Sequence, residues 1–315
     1  MSTQNINNLL DLFFTNYKKQ KKDNILLTSL KDPNNHFTWE KTFHSIKKLS
    51  SEIKKYTKKG DRCLLISENR PEWFITDLSV MLSGAITVPA YTTYAEKDYE
   101  YIIEDCSPKL VFVSNQEQFN KVKEIIKKKS FIVKIFSFEE LDVNNENYIN
   151  INNLFSDLNF QDFNIPDLQI KRIDPACIIY TSGTQGNPKG VILSHGGILN
   201  NCDGALDILK PLLTDQTRFL TWLPLSHSYE HTVQFVQISV GAKIFYAESI
   251  EKLIKNMNDC KPQLMTAVPR FYQNLFQKIN TSFNKATGFK KSLILKMLDL
   301  GTKKINKQPL STLEK

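Results

Sequence analysis

No Cys-x-x-Cys pair occurs in this chain of 315 residues; Cys63, Cys106, Cys177, Cys202 and Cys260 stand singly, far apart and odd in number. That spacing excludes a zinc ribbon, a dithiol redox motif and a disulfide framework, and it predicts five reduced core residues. The first residues contain no basic stretch leading into an apolar one, so no secretory leader is expected and a cytoplasmic location is. Long apolar runs are missing too. The most apolar window, Trp73 to Tyr91, is interrupted by Asp77 and carries Gly84 and Pro89, which predicts a buried helix followed by a strand rather than a membrane span. There is no internal repeat of the kind that builds solenoids. Lys and Arg exceed Asp and Glu by 41 to 33, a net charge of +8. The lysines are scattered in short runs such as Lys18-Lys19 and Lys127-Lys128-Lys129 without interleaved aromatics, which reads as a solvated surface rather than a nucleic-acid face. A net positive charge suits a small partner carrying phosphates.

What is present is a core-forming composition, 41% hydrophobic and 11% aromatic, arranged in alternating strand and helix patterns. Ile6, Leu9, Leu10, Phe13, Phe14 and Tyr17 fall at helical spacing and predict an amphipathic helix packed on the body, with a membrane-surface role as a second reading. A strand over 25–30, a turn at 32–35 and a helix from Trp39 to Ile53 follow, with Gly60 expected to end that helix. Then come a strand over 62–67, a helix capped by Asn69 and closed by Gly84, and a strand over 86–90. Next are helices over 96–105 and 116–129 and strands over 110–113 and 131–136. The strands are almost continuously apolar, so the pattern predicts helix-covered, mostly parallel sheets buried on both faces. Residues 139–172, rich in Asn and Asp, read as a surface connection.

After Asp174-Pro175 the apolar run Ala176-Cys177-Ile178-Ile179 enters Tyr180-Thr181-Ser182-Gly183-Thr184-Gln185-Gly186-Asn187-Pro188-Lys189-Gly190. Three glycines let a backbone approach an anion, three hydroxyls donate, and Lys189 adds a point charge, so the stretch suits phosphate. A Walker A loop is excluded, because Lys189 is followed by Gly190 and Val191 rather than by Ser or Thr. A plain hairpin turn needs only two or three such residues. Val191 to Leu193 forms the return strand, and Ser194 starts a helix running toward Leu209. Further on, Phe219 to His231 reads as a strand, a break at Pro224 and a helix start, with His227, Tyr229 and His231 expected to converge on one loop. The histidines do not make a His-Glu-x-x-His zinc motif, since Glu230 adjoins the second of them.

The run from Tyr180 to Gly190 is similar to the phosphate loop of the adenylate-forming superfamily, the acyl-CoA synthetases and their relatives, whose pattern is Tyr-Thr-Ser-Gly-Thr-Thr-Gly-any-Pro-Lys-Gly. Gln185 stands where that pattern has threonine, and its amide still donates hydrogen bonds. Leu223-Pro224-Leu225-Ser226-His227, with Glu230 three residues on, resembles the second core motif of the long-chain acyl-CoA synthetase branch. The stretches from Ile66 to Trp73, Gly84 to Tyr91 and Val268 to Tyr272 are similar to the same branch.

This resemblance implies an α/β fold in which 1–315 forms part of the superfamily's large N-terminal domain. The small C-terminal domain, with its adenylation lysine, is expected beyond Lys315, together with the Thr-Glu pair and ribose aspartate that are not identifiable here. It implies ATP-dependent activation of a long-chain fatty acid to an acyl-adenylate and then an acyl-CoA. ATP, Mg²⁺ and coenzyme A as co-substrate come with that reading, as does peripheral membrane contact; nucleic acid does not. By the same resemblance Thr181, Ser182, Gly183, Thr184, Gln185, Gly186, Lys189 and Gly190 bind the phosphates. Thr181 or Thr184 ligates Mg²⁺, and His227 and Tyr229 lie near the acyl and adenine sites. Two rivals share the loop: an adenylating ligase for an aryl or amino acid, and a non-catalytic nucleotide-binding fragment.

Overall fold

The structure is a computed structural model that describes residues 5–143, 147–161, 164, 169–181, 188–214 and 216–309. These fall into two units, 1–266 and 267–315. In the first, helix α1 (Leu9–Lys19) begins at Asn8, whose side chain accepts from the Asp11 N–H at 2.9 Å, and it turns Leu9, Leu10, Phe13 and Phe14 inward. Strands β1 (Ile25–Ser29) and β2 (His36–Thr38) form a hairpin, and Thr38 caps α2 (Trp39–Ile53). That helix ends well before Gly60, which instead takes a left-handed turn (φ +86°) and donates its N–H to the Gly84 carbonyl at 2.9 Å. The expected stop signal therefore belongs to the turn before the next strand.

Strand β3 (Arg62–Ile66) leads to α3 (Pro71–Ser83), whose cap is Arg70 rather than Asn69 and whose left-handed end is Gly84, as expected. Then follow β4 (Ile86–Ala90), α4 (Glu96–Cys106), β5 (Leu110–Val113), α5 (Gln116–Lys127) and β6 (Lys134–Ser137). The last strand starts three residues later than its apolar run, because residues 131–133 complete the turn. The Asn-rich connection is not structureless: it contributes β7 (Tyr148–Asn150) and the short α6 (Ile151–Phe155), begun by the Asn150 side chain. Polar residues hid this strand because it lies at a sheet edge, where one neighbour suffices. Strands β8 (Pro175–Thr181) and β9 (Lys189–Ser194) make an antiparallel hairpin that feeds α7 (His195–Leu209). The unit closes with β10 (Arg218–Thr221), α8 (Ser228–Ser239), β11 (Lys243–Tyr246), α9 (Leu253–Cys260) and β12 (Leu264–Met265).

The strands form two sheets, in the orders β7-β6-β5-β3-β4-β8-β9 and β12-β10-β11-β1-β2, parallel throughout except for β8 with β9 and β1 with β2. β3 shows why such strands read as continuous apolar runs. Its Cys63 and Leu65 join one core with α1, α2, α3 and α8, while Leu64 and Ile66 join a second beneath α4 and α5. All five cysteines are free and buried. The described residues of the second unit form helices α10 (Pro269–Asn284) and α11 (Gly288–Ile305). Among the described residues, no helix is long and apolar enough to cross a membrane.

Candidate functional site

The hairpin presents its loop from the outermost strand of the larger sheet. The last rung pairs Thr181 with Lys189, and both are exposed there; Ser182, Gly183, Thr184, Gln185, Gly186 and Asn187 lie outside the described residues. One rung back, Gly190 faces Tyr180. A Cβ at position 190 would stand 2.9 Å from the Ile178 methyl and 3.1 Å from the Tyr180 ring, so only glycine allows the ring to lie across the hairpin. The Tyr180 hydroxyl donates to Asp105, and burial followed by that bond pushes the phenol well above its ordinary pKa. The ring thus closes one side of the hairpin as a neutral, fixed wall. At the far end Ser194 caps α7 by accepting from the Gly197 N–H at 3.1 Å.

The second segment leaves β10 at Thr221 and enters α8 at Ser228. Trp222 donates its ring N–H to the Thr266 carbonyl at 2.6 Å, and the His227 N–H reaches the Pro224 carbonyl at 2.9 Å. His227 is exposed and serves as the cap of α8: its Nδ1 accepts from the Tyr229 N–H at 3.2 Å. Tyr229 is exposed beside it. The three rings expected to converge do not. His231, one helical turn into α8, is fully buried and points into the core. Its Nε2 lies 2.8 Å from the Asp77 carboxylate, and its Nδ1 lies 3.6 Å from the Cys177 sulfur. Desolvation alone would lower this imidazole's pKa, but Asp77 and Cys177 outweigh it and raise it to about 10. The Asp77 carboxylate at Nε2 thus favours the charged form of this buried ring. His195, buried nearby, goes the other way: burial lowers it to about 4, and its neutral Nδ1 accepts from the Leu9 N–H.

This buried trio is what brings the two segments together. Cys177 lies four residues before Thr181 on β8, His231 four residues after His227 on α8, and Asp77 holds the histidine from α3. The sequence contained one signal for it: a lone carboxylate inside the apolar window around α3 must have a buried partner. Glu230, next in line, is also fully buried, and burial raises its carboxyl to about 7 although Thr266 donates to it at 2.6 Å.

A cavity of ≈ 440 Å³ opens at the carboxyl ends of β1, β3, β6 and β11, where ligands of parallel sheets commonly bind. Its charged lining is Lys31 and Arg70 against Asp32, Glu68, Glu72, Glu139 and Glu248. Arg70 is taken up by Glu72 at 3.0 Å, Glu139 at 2.8 Å and Glu68 at 3.5 Å. Carboxylates in excess repel phosphate, so the chemistry of this cavity does not compete with the hairpin for a nucleotide's phosphates. Among the described residues no group of three His, Cys, Asp or Glu side chains is placed to hold a metal ion. Thr181 supplies an exposed hydroxyl oxygen at the hairpin mouth, which suits a hard cation carried in with phosphates.

A family profile described as AMP-binding enzyme matches residues 13–315. The chain is 28% identical over 267 residues to long chain acyl-CoA synthetase 3 of Arabidopsis thaliana, covering 81% of this chain and 40% of that protein. It is 28% identical over 260 residues to the long-chain-fatty-acid–CoA ligase ACSBG2 of Homo sapiens, covering 78% and 38%. The chain thus spans about 40% of the length of these curated relatives. Among solved structures, the anthranilate CoA ligase AuaEII in complex with anthranoyl-AMP superposes with a TM-score of 0.72 at 20% identity, over 86% of this chain and 52% of that one.

Proposed function

The chain belongs to the AMP-binding enzyme family, a family of ligases, and from that premise we propose that the protein carrying it activates a long-chain fatty acid with ATP and passes the acyl group to coenzyme A. The observation that carries the proposal is the hairpin, which sets a hydroxyl, Thr181, opposite a cation, Lys189, at the mouth of a Gly-rich loop. In the proposed reaction a carboxylate oxygen attacks the α-phosphorus of ATP, pyrophosphate leaves, and the coenzyme A thiol then displaces AMP from the acyl carbon. No covalent bond to the chain is needed. Its residues position groups and neutralise charge. Thr181, Ser182, Thr184, Gln185 and the N–H groups of Gly183 and Gly186 would hold the β- and γ-phosphates, with Lys189 adding charge and Gly190 giving Tyr180 its place. Mg²⁺, when bound, supplies further charge neutralisation across the phosphates, and the hydroxyl of Thr181 or Thr184 is its proposed protein ligand. His227 and Tyr229, exposed at the start of α8, would border the acyl and adenine groups. The proposal sets this reaction in the cytoplasm, with the acid drawn from solution or from a membrane surface, and treats 1–315 as part of a larger N-terminal domain.

Support for the long-chain acid comes from the Leu223 to Glu230 motif and from the names of the two relatives. Because each buried methylene contributes about 0.8 kcal/mol, or about fourfold in affinity, chain length should dominate selectivity. Acid-dependent pyrophosphate release is expected to give kcat/KM for palmitate at least about a hundredfold above acetate and benzoate. Equal values for palmitate and acetate would remove the long-chain assignment, and preference for benzoate would move it to aryl acids.

A further inference from the structure

The backbone between β10 and α8 is held by a side chain from the other sheet. Asn69 donates from Nδ2 to the Leu223 carbonyl at 2.6 Å and accepts on Oδ1 from the Leu225 N–H at 2.9 Å. Building on the reading of His227 given above, we propose that Asn69 is a positioning residue for the acid site: it clamps Leu223 and Leu225 and thereby fixes where His227 and Tyr229 stand.

The sequence creates the need for such a clamp. Residues 222–227 leave the sheet ladder, and Pro224 has no N–H to contribute to a turn of its own. The Leu223 carbonyl and Leu225 N–H flank that proline, outside the sheet ladder and half-buried, and the fully buried Leu225 side chain anchors the segment beside them. A primary amide is the side chain that can serve both, since it carries a donor and an acceptor side by side, as a neighbouring strand would. The two partners also fix which way the amide faces, because its oxygen must meet the N–H.

Asn69 is itself immobilised. It sits at the carboxyl end of β3, directly before Arg70, whose guanidinium is gripped by Glu68, Glu72 and Glu139. Glu72 in turn accepts from the Asn35 amide at 2.8 Å, which ties the hub to the β1–β2 turn of the smaller sheet. On the other side the clamp connects to the site in two steps. The His227 N–H bonds to Pro224, between the clamped residues, and His227 then caps α8 through the Tyr229 N–H. A shift of this backbone moves the Pro224 carbonyl that holds the His227 N–H, and with it the cap that His227 forms on α8.

The test pairs hydrogen exchange with kinetics in Asn69→Ala and Asn69→Asp. In Asn69→Ala the Leu225 amide is expected to exchange at least about tenfold faster, while amides in the core of α7 keep their rates. In Asn69→Asp, which keeps the acceptor, most of the Leu225 protection should return. The same Ala variant should lose about 10- to 100-fold in kcat/KM for the acid with KM for ATP within about twofold of the parent, and Asp should fall between. Unchanged Leu225 exchange in Asn69→Ala would overturn the proposal, as would equal losses toward acid and ATP in both variants. If the unsubstituted protein shows no acid-dependent chemistry, the functional reading fails by itself, and the Leu225 exchange rates still decide the clamp.

Discussion

Asp77→Ala is expected to cost about 3–5 kcal/mol of stability at pH 7, more than any exposed substitution in this chain should. The reason is the asymmetry of buried ion pairs. Asp77 and His231 are both fully inaccessible and 2.8 Å apart, so removing the carboxylate leaves a buried imidazole that has lost its charge partner and keeps the Cys177 sulfur as its polar neighbour. Replacing both partners, as in Asp77→Leu with His231→Leu, removes the charge along with its partner and should be less harmful than either single change. The pair also predicts a pH dependence of definite sign. A histidine raised from 6.5 to about 10 contributes stability that is fully present below pH 6.5 and is lost as pH rises through about 10. Glu230, raised from 4.5 to about 7, has the same sign at lower pH, and the buried cysteines and tyrosines, such as Cys63 and Tyr180, are raised with the same sign above about pH 8, so the difference between the parent and Asp77→Ala, which share all of these groups, isolates the histidine. The urea midpoint of the parent should fall across that range, and the fall should be smaller in Asp77→Ala. A single-variant loss below about 1 kcal/mol would mean that the trio does not join the two segments as described.

Lys189→Ala should leave the fold intact and weaken MgATP use by about 10- to 100-fold. Lys189 stands exposed on the final rung opposite Thr181, so no packing is lost with it. A charge-assisted phosphate contact is worth about 1.5–3 kcal/mol, which sets the size of the effect. The loss should appear in kcat/KM for ATP, with KM for the acid little changed, because the hairpin and the His227 segment serve different substrates in the proposed reaction. Lys189→Arg should recover part of it, a cation being kept but its geometry altered. Unchanged ATP kinetics in Lys189→Ala would remove this lysine from the phosphate site.

Much of the architecture could be read from the chain because its signals were local. The run from Trp73 to Tyr91 gave a buried helix and a strand, and Gly84 closed the helix in the left-handed conformation expected of it. The hairpin was legible for the same reason, since glycine, proline and hydroxyl residues between two apolar runs specify a loop by themselves. What could not be read was set by distant partners. Asn69 has the composition of a helix cap, yet Arg70 takes the cap and the Asn69 amide is drawn to a backbone more than 150 positions away. Asp77 was visible as a break in an apolar run, but nothing local says that His231 and Cys177 close around it. The spacing of His227, Tyr229 and His231 suggests one cluster, whereas a single helical turn puts His231 in the core. Gly60 looked like a helix end because its neighbours are polar, and the helix had already stopped at Ile53.

The central claim is chemical: a carboxylate oxygen of the acid attacks the α-phosphorus of ATP. It is tested most directly by supplying palmitate labelled with ¹⁸O in both carboxylate oxygens, together with ATP, Mg²⁺ and coenzyme A, and weighing the products by mass spectrometry. Adenylation makes one labelled oxygen the bridge to phosphorus, and thiolysis leaves that oxygen on AMP. The account predicts AMP carrying one ¹⁸O and unlabelled pyrophosphate. Unlabelled AMP, or label in inorganic phosphate, would contradict it.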